Sequence, residues 1–588
     1  MDKESGKAFD YRLFKRVMAH TRPYILTFLL VALAAIFVSC FAVLTPLIVG
    51  EIIDGAVKPS DAGRLRFLTF ALGGVLIGQV VSQLLFNYYG NWLGESVIKD
   101  IRIRLFRHML SFRKTYFDNS SIGVLVTRAV ADMQRIGEIF SEGFFTIVSD
   151  LLKMVVVAVV MLVVNWKLAL IVFAIMPLII YATRLFQRAM KTAFIDVRTQ
   201  VASLNSFVQE RLTGMKIVQL FTRETIESGK FREINEKHQN AWLKTVWYNS
   251  FFFPVADIVS SITVGLIVWY GGLLNVTRIG VDEYGTIFAF IMLSGELFRP
   301  LRQIADKFNT LQMGMVAASR VFGILDTDSH IQDLGTLERA EVKGDIRFEN
   351  VHFGYIEGEE VLKGISFEVR QGETIAIVGA TGAGKSTIIN LLNRFYEINS
   401  GAITVDGIDI REYKLSSLRK HIAIVLQDVF LFADTIANNI SLKNEEVTPE
   451  IIAKAARQIG VHEFISSLPG GYQYNVKERG TMLSSGQRQL IAFLRAYVSN
   501  PSILVLDEAT SSVDTYTEQL IQKATEKITE GRTSIIIAHR LATVKKADKI
   551  LVMEQGQIVE TGTHKALLKK GGYYNALYEA QFLVEEVA

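Results

Sequence analysis

The sequence predicts an α-helical membrane domain, with six transmembrane helices and long cytoplasmic helical extensions, followed by an α/β domain. Three observations carry this. Half of the 588 residues are hydrophobic although 21% are charged, and apolar runs long enough to cross a bilayer recur up to about residue 298. Beyond residue 345 the pattern switches to short β-branched runs alternating with helical periods. One of those runs leads through a glycine-rich loop into a helix. The length exceeds what one core can organise, so several domains are expected. A net charge of +4 gives no nucleic-acid footprint, and a single cysteine, Cys40, excludes an internal disulfide framework.

The first 23 residues lack the short apolar core and cleavage site of a secretory signal. Leu13, Phe14, Val17 and Met18 recur at helical spacing beside Arg12, Lys15 and Arg16, which reads as an amphipathic helix on the inner membrane surface. The transmembrane domain follows over 24–325. Residues 24–50 and 67–94 form the first two spans. The runs 154–164 and 168–182 flank Asn165-Trp166-Lys167 as a hairpin, with the third helix starting near Phe144. Residues 251–276 and 284–298 complete six. Lys and Arg are rich in the N-terminal segment, 95–140 and 184–245, and sparse in 51–66, 165–167 and 277–283, so both termini and the two long loops are placed in the cytoplasm. The loops keep a helical period, and "KDIRIRLFRHMLSFRKTYFD" continues the second helix past the bilayer. They read as helices docking on another domain, with amphipathic helices lying on lipid as the alternative.

Charges inside spans are functional candidates. Asp150 and Asp257 fall roughly 24–28 Å from the outer ends of their helices, near the cytoplasmic edge, where Lys153 can pair with Asp150 at i,i+3. Glu296 falls about 18 Å from its outer end, near mid-membrane. It is a candidate cargo-site residue or half of an internal pair with Arg299.

A polar linker, 326–344, precedes the α/β domain of 345–588. "GATGAGKST" follows the strand "TIAIV" and precedes a helical run, the context of a phosphate-binding loop. Its residues, Gly379-Ala380-Thr381-Gly382-Ala383-Gly384-Lys385-Ser386-Thr387, can wrap phosphates with backbone N–H groups. Lys385 is placed to reach the β/γ oxygens and Ser386 to ligate Mg²⁺. "SILVLDEAT" is a buried strand ending in two acids, Asp507 for the Mg²⁺ shell and Glu508 as base for an attacking water. "SIIIAHR" and "HIAIVLQ" end likewise, so His539 and Gln427 fall on the same strand-end rim. "LSSGQRQ" opens a helix and offers N–H groups to an anion.

Together these motifs resemble the ATP-binding cassette transporters, specifically half-transporters of the type IV exporter fold, of the multidrug and lipid-flippase kind. The resemblance covers essentially the whole chain. It implies an α/β P-loop ATP-binding cassette in which Tyr355 stacks on adenine and "GATGAGKST" is the Walker A loop. Gln427 is then the Q-loop residue, with a place in the Mg²⁺ shell, and "ILVLDE" is Walker B. Ser511-Ser512-Val513-Asp514 is the D-loop and His539 the switch histidine. Glu478 in "KERG" faces the coupling elements, 116–128 and 208–221 look like the two coupling loops, and 298–304 resembles the sixth-helix exit. Leu483-Ser484-Ser485-Gly486-Gln487 is the signature, with Ser485 where the family usually has glycine.

In that family two cassettes stack head to tail, each ATP lying between one chain's Walker A loop and the other's signature. The resemblance therefore implies Mg²⁺ and ATP, a second half-transporter chain (a homodimer favoured over a heterodimer), membrane lipid, and a hydrophobic or amphipathic cargo. It implies ATP-driven export or flipping across a bacterial-type inner membrane, with an ATP-gated channel or regulatory membrane protein as the alternative.

Overall fold

The structure is a computed structural model describing residues 10–277, 284–331, 333–507, 514–538 and 540–581. It divides into two units. One comprises Met1–Leu110 with Ser120–Asp328, and the other Ser111–Asn119 with Ser329–Ala588. The nine-residue segment Ser111–Asn119 thus packs with the C-terminal unit, which a linear boundary near residue 326 does not capture.

The first unit is helical. Helix α1 (Tyr11–Ala19) starts where the Asp10 carboxylate accepts the N–H groups of Arg12 and Leu13. Arg16 then binds Asp326 through both guanidinium nitrogens at 2.6 Å and lies over the Phe322 ring. Helix α2 (Ile25–Ile52) is apolar all round, and its outer side chains, such as Leu26 at 81% exposed, are left for lipid. Helix α3 (Ala62–Leu110) has 49 residues, about 74 Å at 1.5 Å per residue, against a hydrocarbon core of about 30 Å. The expected extension beyond the bilayer is therefore continuous helix.

Helix α4 (Phe145–Thr213) contains the expected hairpin. Asn165 leaves helical geometry (φ −156°, ψ 98°), and its side-chain oxygen accepts the N–H groups of Lys167 and Leu168, restarting the helix in the opposite sense. Helices α5 (Glu224–Thr277) and α6 (Tyr284–Leu325) follow. Four helical stretches among the described residues are long and apolar enough to cross a membrane, and the hairpin makes two passes of one of them. Helix α6 is not among the four because Glu296 and Arg299 dilute its apolar run. Val157, Met161, Val172, Ile267, Phe290 and Leu293 form a common core. The C-terminal end of α2 and the N-terminal end of α6 meet at two glycines: a Cβ on Gly285 would lie 2.0 Å from the Gly50 carbonyl oxygen. There the Asp54 carboxylate accepts the N–H groups of Gly285 (2.8 Å) and Thr286 (3.2 Å).

The second unit carries two sheets. Strands β1 (Ile346–Phe353), β2 (Leu362–Val369), β4 (Ser400–Val405) and β5 (Ile408–Asp409) form an antiparallel sheet in the order β2-β1-β4-β5. The other sheet has the order β10-β9-β3-β8-β7-β6, from β3 (Thr374–Gly379), β6 (Ile422–Val425), β7 (Ile503–Asp507), β8 (Thr533–Ile537), β9 (Lys549–Glu554) and β10 (Gln557–Gly562). The pairings β6–β7, β7–β8, β8–β3 and β3–β9 are parallel.

Strand side chains alternate between faces, and here the two faces have separate cores. Ile375, Ile377, Val505 and Ile535 pack with Ile388 and Leu391 of α7 (Lys385–Leu392). Ala376, Val378, Leu504 and Ile536 pack with Leu483 and with Leu490 and Phe493 of α8 (Ser485–Val498). The helix after the glycine-rich loop and the helix after "LSSGQ" therefore lie on opposite faces of one sheet.

Candidate nucleotide site

Parallel pairing puts the carboxyl ends of β3, β6, β7 and β8 on one rim, where the loops of an open α/β sheet bind ligands. The glycine-rich loop leaves β3 there. Gly379 has φ +152°, and a Cβ on it would lie 2.2 Å from the Met553 carbonyl oxygen. Gly384, at φ +98°, is the residue before α7, in a left-handed conformation that disfavours other residues. The first N–H groups of α7 have no earlier turn to bond, so they are presented to an anion together with the positive helix end. Lys385 is almost fully buried at 8% exposed, and its ammonium donates to the carbonyl oxygens of Gly379 (2.8 Å) and Ala380 (2.9 Å). Burial pushes its pKa down, and the nearby Asp507 carboxylate pulls the other way.

Ser386 Oγ donates to Asp507 Oδ2 at 3.4 Å. Two hard oxygens this close can occupy adjacent corners of a Mg²⁺ octahedron, whose bonds of about 2.1 Å put neighbouring ligands about 3 Å apart. Among the described residues no cluster of three His, Cys, Asp or Glu exists. Gln427, two residues beyond β6, is exposed on the same rim. Glu508, Ser511, Ser512, Val513 and His539 lie outside the described residues. Asp514 is described: its carboxylate accepts the Thr517 N–H at 2.9 Å and caps α9 (Thr515–Thr529).

Tyr355 is fixed beside the loop helix. Its hydroxyl donates to Thr387 Oγ1 and accepts from Asn390 Nδ2, both at 3.2 Å, and the residue is 44% exposed. Tyr396 stands edge-on to it at 5.0 Å, and its own hydroxyl donates to Asp118 while Lys114 lies 5.8 Å over its ring. Burial and then Asp118 push the Tyr396 pKa up. No short-range signal in the sequence marks Tyr396, because its partners lie far back in the chain.

The "LSSGQ" stretch folds as a reciprocal cap. Ser484 Oγ accepts the Gln487 N–H (3.2 Å), while Gln487 Oε1 accepts the Ser484 N–H (3.0 Å). The serine and the glutamine thus stabilise their own helix end, and the N–H groups of Ser485 and Gly486 remain for an anion. Ser485, at the first helical position, is not part of the cap. The spacing Ser-x-x-Gln was the available signal for it. Just upstream, Lys477 (φ 59°, ψ −171°) and Arg479 (φ 54°) flank Glu478 in conformations that are costly for side-chain-bearing residues.

In the membrane unit the expected partners of the charged residues change. Asp150 pairs with Lys307, not Lys153. Lys153 pairs with Glu296 at 3.4 Å, the partner proposed for Glu296 having been Arg299. Asp257 pairs with Arg302 at 2.9 Å. Each pair joins α6 to another helix. A pair within one helix is worth only about 0.2–0.5 kcal/mol, so opposite charges on a packed neighbour win.

A family profile described as "ABC transporter transmembrane region" matches residues 28–301, and one described as "ABC transporter" matches 362–511. The chain is 33% identical over 579 residues to the uncharacterized ABC transporter ATP-binding protein YknV of Bacillus subtilis, covering 98% of this chain and 96% of that one. It is 35% identical over 577 residues to an ATP-dependent lipid A-core flippase of Chromohalobacter salexigens, covering 98% and 99%. A flippase of the same name from Thiobacillus denitrificans is 33% identical over 573 residues, covering 97% and 98%.

Proposed function

The chain belongs to the ABC transporter family, its membrane-spanning and ATP-binding regions fused in one polypeptide, and from that premise we propose that two copies of it form the working transporter. As a half-transporter it couples ATP hydrolysis to export or flipping across a membrane. The dimer reading rests on one observation above all. The loop helix α7 and the signature helix α8 pack on opposite faces of one sheet, so the two anion-facing ends of one chain serve different phosphates. A second chain supplies the missing half of each site. The short helix Met215–Leu220 supports the same reading, because Ile217, Leu220 and the adjacent Phe221 are 58–68% exposed and leave an apolar tip for a second chain to cover.

In this reading Lys385 turns from its own loop carbonyls to the β/γ-phosphates. Ser386, Asp507 and Gln427 would hold Mg²⁺, which would screen the phosphate charge. Glu508 takes the proton of the water whose oxygen attacks the γ-phosphorus as ADP leaves, and His539 contacts the γ-phosphate. Tyr355 stacks on adenine, and the partner's Ser484, Ser485 and Gly486 donate to the γ-phosphate from the other side. Closure on ATP and opening after hydrolysis form a two-state cycle.

A homodimer is favoured over a heterodimer because every residue type needed stands in this one sequence. Ser485 leaves the donor positions intact, since it stands outside the Ser484–Gln487 cap. Both termini face the cytoplasm of a bacterial-type inner membrane, from the Lys/Arg asymmetry of the loops. The cargo is hydrophobic or amphipathic, in line with the flippase names of relatives, and Glu296 is its candidate polar contact. The test is purification of this chain alone. Steady ATPase activity from its dimer, abolished by Ser484→Arg, is expected. An inactive chain that works only when co-expressed with a second half-transporter overturns the homodimer.

A further inference from the structure

An open groove of roughly 570 Å³ runs between the hairpin limb of α4 and helix α5. Trp166, Lys167, Leu170 and Ile171 line one wall, and Leu266 and Trp269 the other. Trp166, Leu170 and Trp269 are 51–66% exposed. On a membrane helix such exposure alone says only that lipid is near. Lys167 makes the difference.

Among the described residues Lys153 pairs with Glu296, Lys307 with Asp150, Arg302 with Asp257, and at the same end of the bundle Arg64 with Glu51. Lys167 has no carboxylate partner among the described residues. Its ammonium lies 5.8 Å over the ring of Trp166, at the mouth of an otherwise apolar groove. A cation held at a membrane interface, with an apolar channel leading inward from it, is complementary to an anionic amphiphile.

The dimensions agree. The lining continues along α4 from Lys167 to Ile175, eight residues or about 12 Å, most of the about 15 Å of one leaflet's hydrocarbon. Trp166, in the hairpin turn, suits the headgroup level at which tryptophan anchors.

We propose that this groove holds one anionic phospholipid as a resident of the leaflet facing away from the cassettes, its phosphate on Lys167 and one acyl chain between α4 and α5. The choice of leaflet rests on the orientation given under Proposed function. The lipid is a fixed partner of the bundle, distinct from cargo carried past Glu296.

The test is native mass spectrometry of the full-length protein, titrated with equal amounts of dioleoyl phosphatidylglycerol and dioleoyl phosphatidylcholine. Wild type should bind the anionic lipid in preference by about five-fold or more, the scale of one basic side chain at a membrane surface. Lys167→Gln should keep bound lipid but lose the preference, and Ala174→Trp should lose the tightly held lipid of either kind. Both variants should keep basal ATPase activity, which separates lost binding from lost folding. Equal binding of the two lipids by wild type, or an unchanged preference in Lys167→Gln, overturns the proposal. So does release of the anionic lipid on addition of ATP and Mg²⁺, which makes it cargo. Orientation is read separately, by labelling Lys167→Cys in a Cys40→Ser background with a membrane-impermeant maleimide on intact cells. Absence of labelling there refutes the orientation and the leaflet, while the mass-spectrometric result still decides whether the groove binds the lipid.

Discussion

Replacing Glu296 with Gln leaves Lys153 as a cation without its partner inside the bundle. At 3.4 Å and an effective dielectric of about 20, the direct attraction is about 5 kcal/mol, most of it offset by desolvation of both ions. Removing one partner of a buried pair costs about 3–5 kcal/mol. These side chains are 19% and 33% exposed, so screening reduces the expected loss to about 1–3 kcal/mol. The assay is a double-mutant cycle of Glu296→Gln and Lys153→Met, read by unfolding of the protein in nanodiscs. The double variant should lose less than the sum of the singles, with a coupling of about 1 kcal/mol or more. ATPase stimulation by a cationic amphiphile provides the functional arm. Glu296→Gln should abolish stimulation and spare basal turnover, whereas Lys153→Met should enhance it, because the carboxylate is released from its internal partner. Additivity within about 0.5 kcal/mol refutes the pair, and undiminished stimulation in Glu296→Gln refutes the cargo contact.

Glu508→Gln should bind Mg·ATP yet hydrolyse it at least about a hundred-fold more slowly, accumulating as a closed dimer on size-exclusion analysis; near-normal turnover removes Glu508 from the role of base. Lys385→Ala should weaken nucleotide binding measured by calorimetry, since the loop loses its one cation facing the β/γ-phosphates, and unchanged affinity together with unchanged ATPase activity defeats that assignment. Ser485→Gly should leave ATPase activity within about two-fold, because the cap does not use that side chain, whereas Ser484→Ala should cost about 1 kcal/mol of helix-end stability and lower turnover; equal effects of the two would count against the capping argument.

The rim of the cassette was legible because its information is local. A phosphate loop needs a strand, glycines and a helix within about twenty residues, and "TIAIVGATGAGKSTIINLL" holds all of them. Parallel strands then bring Asp507 and Gln427 to the same edge. The hairpin at Asn165 was legible for a similar reason, as one polar tripeptide between two apolar runs. The partners of the membrane charges were not legible, since they depend on how whole helices rotate against one another. Lys153 meets Glu296 across 143 residues, and Lys307 meets Asp150 across 157. Depth counted along a single helix placed these groups, but it carried no azimuth. The membership of Ser111–Asn119 in the cassette unit was hidden likewise, because the partner of Asp118 lies 278 residues further along the chain.

That segment has a consequence for biosynthesis. Asp118 is synthesised 278 residues before Tyr396, the side chain to which it hydrogen-bonds. At about 5–20 residues per second a ribosome needs roughly 15–55 s to cover that distance. During this interval the membrane helices can insert while Phe112, Lys114 and Asp118 await the surface that receives them. Substitutions such as Asp118→Ala should therefore act first on newborn chains, raising the fraction captured by chaperones and proteases, with a smaller effect on the thermal stability of molecules that have already matured.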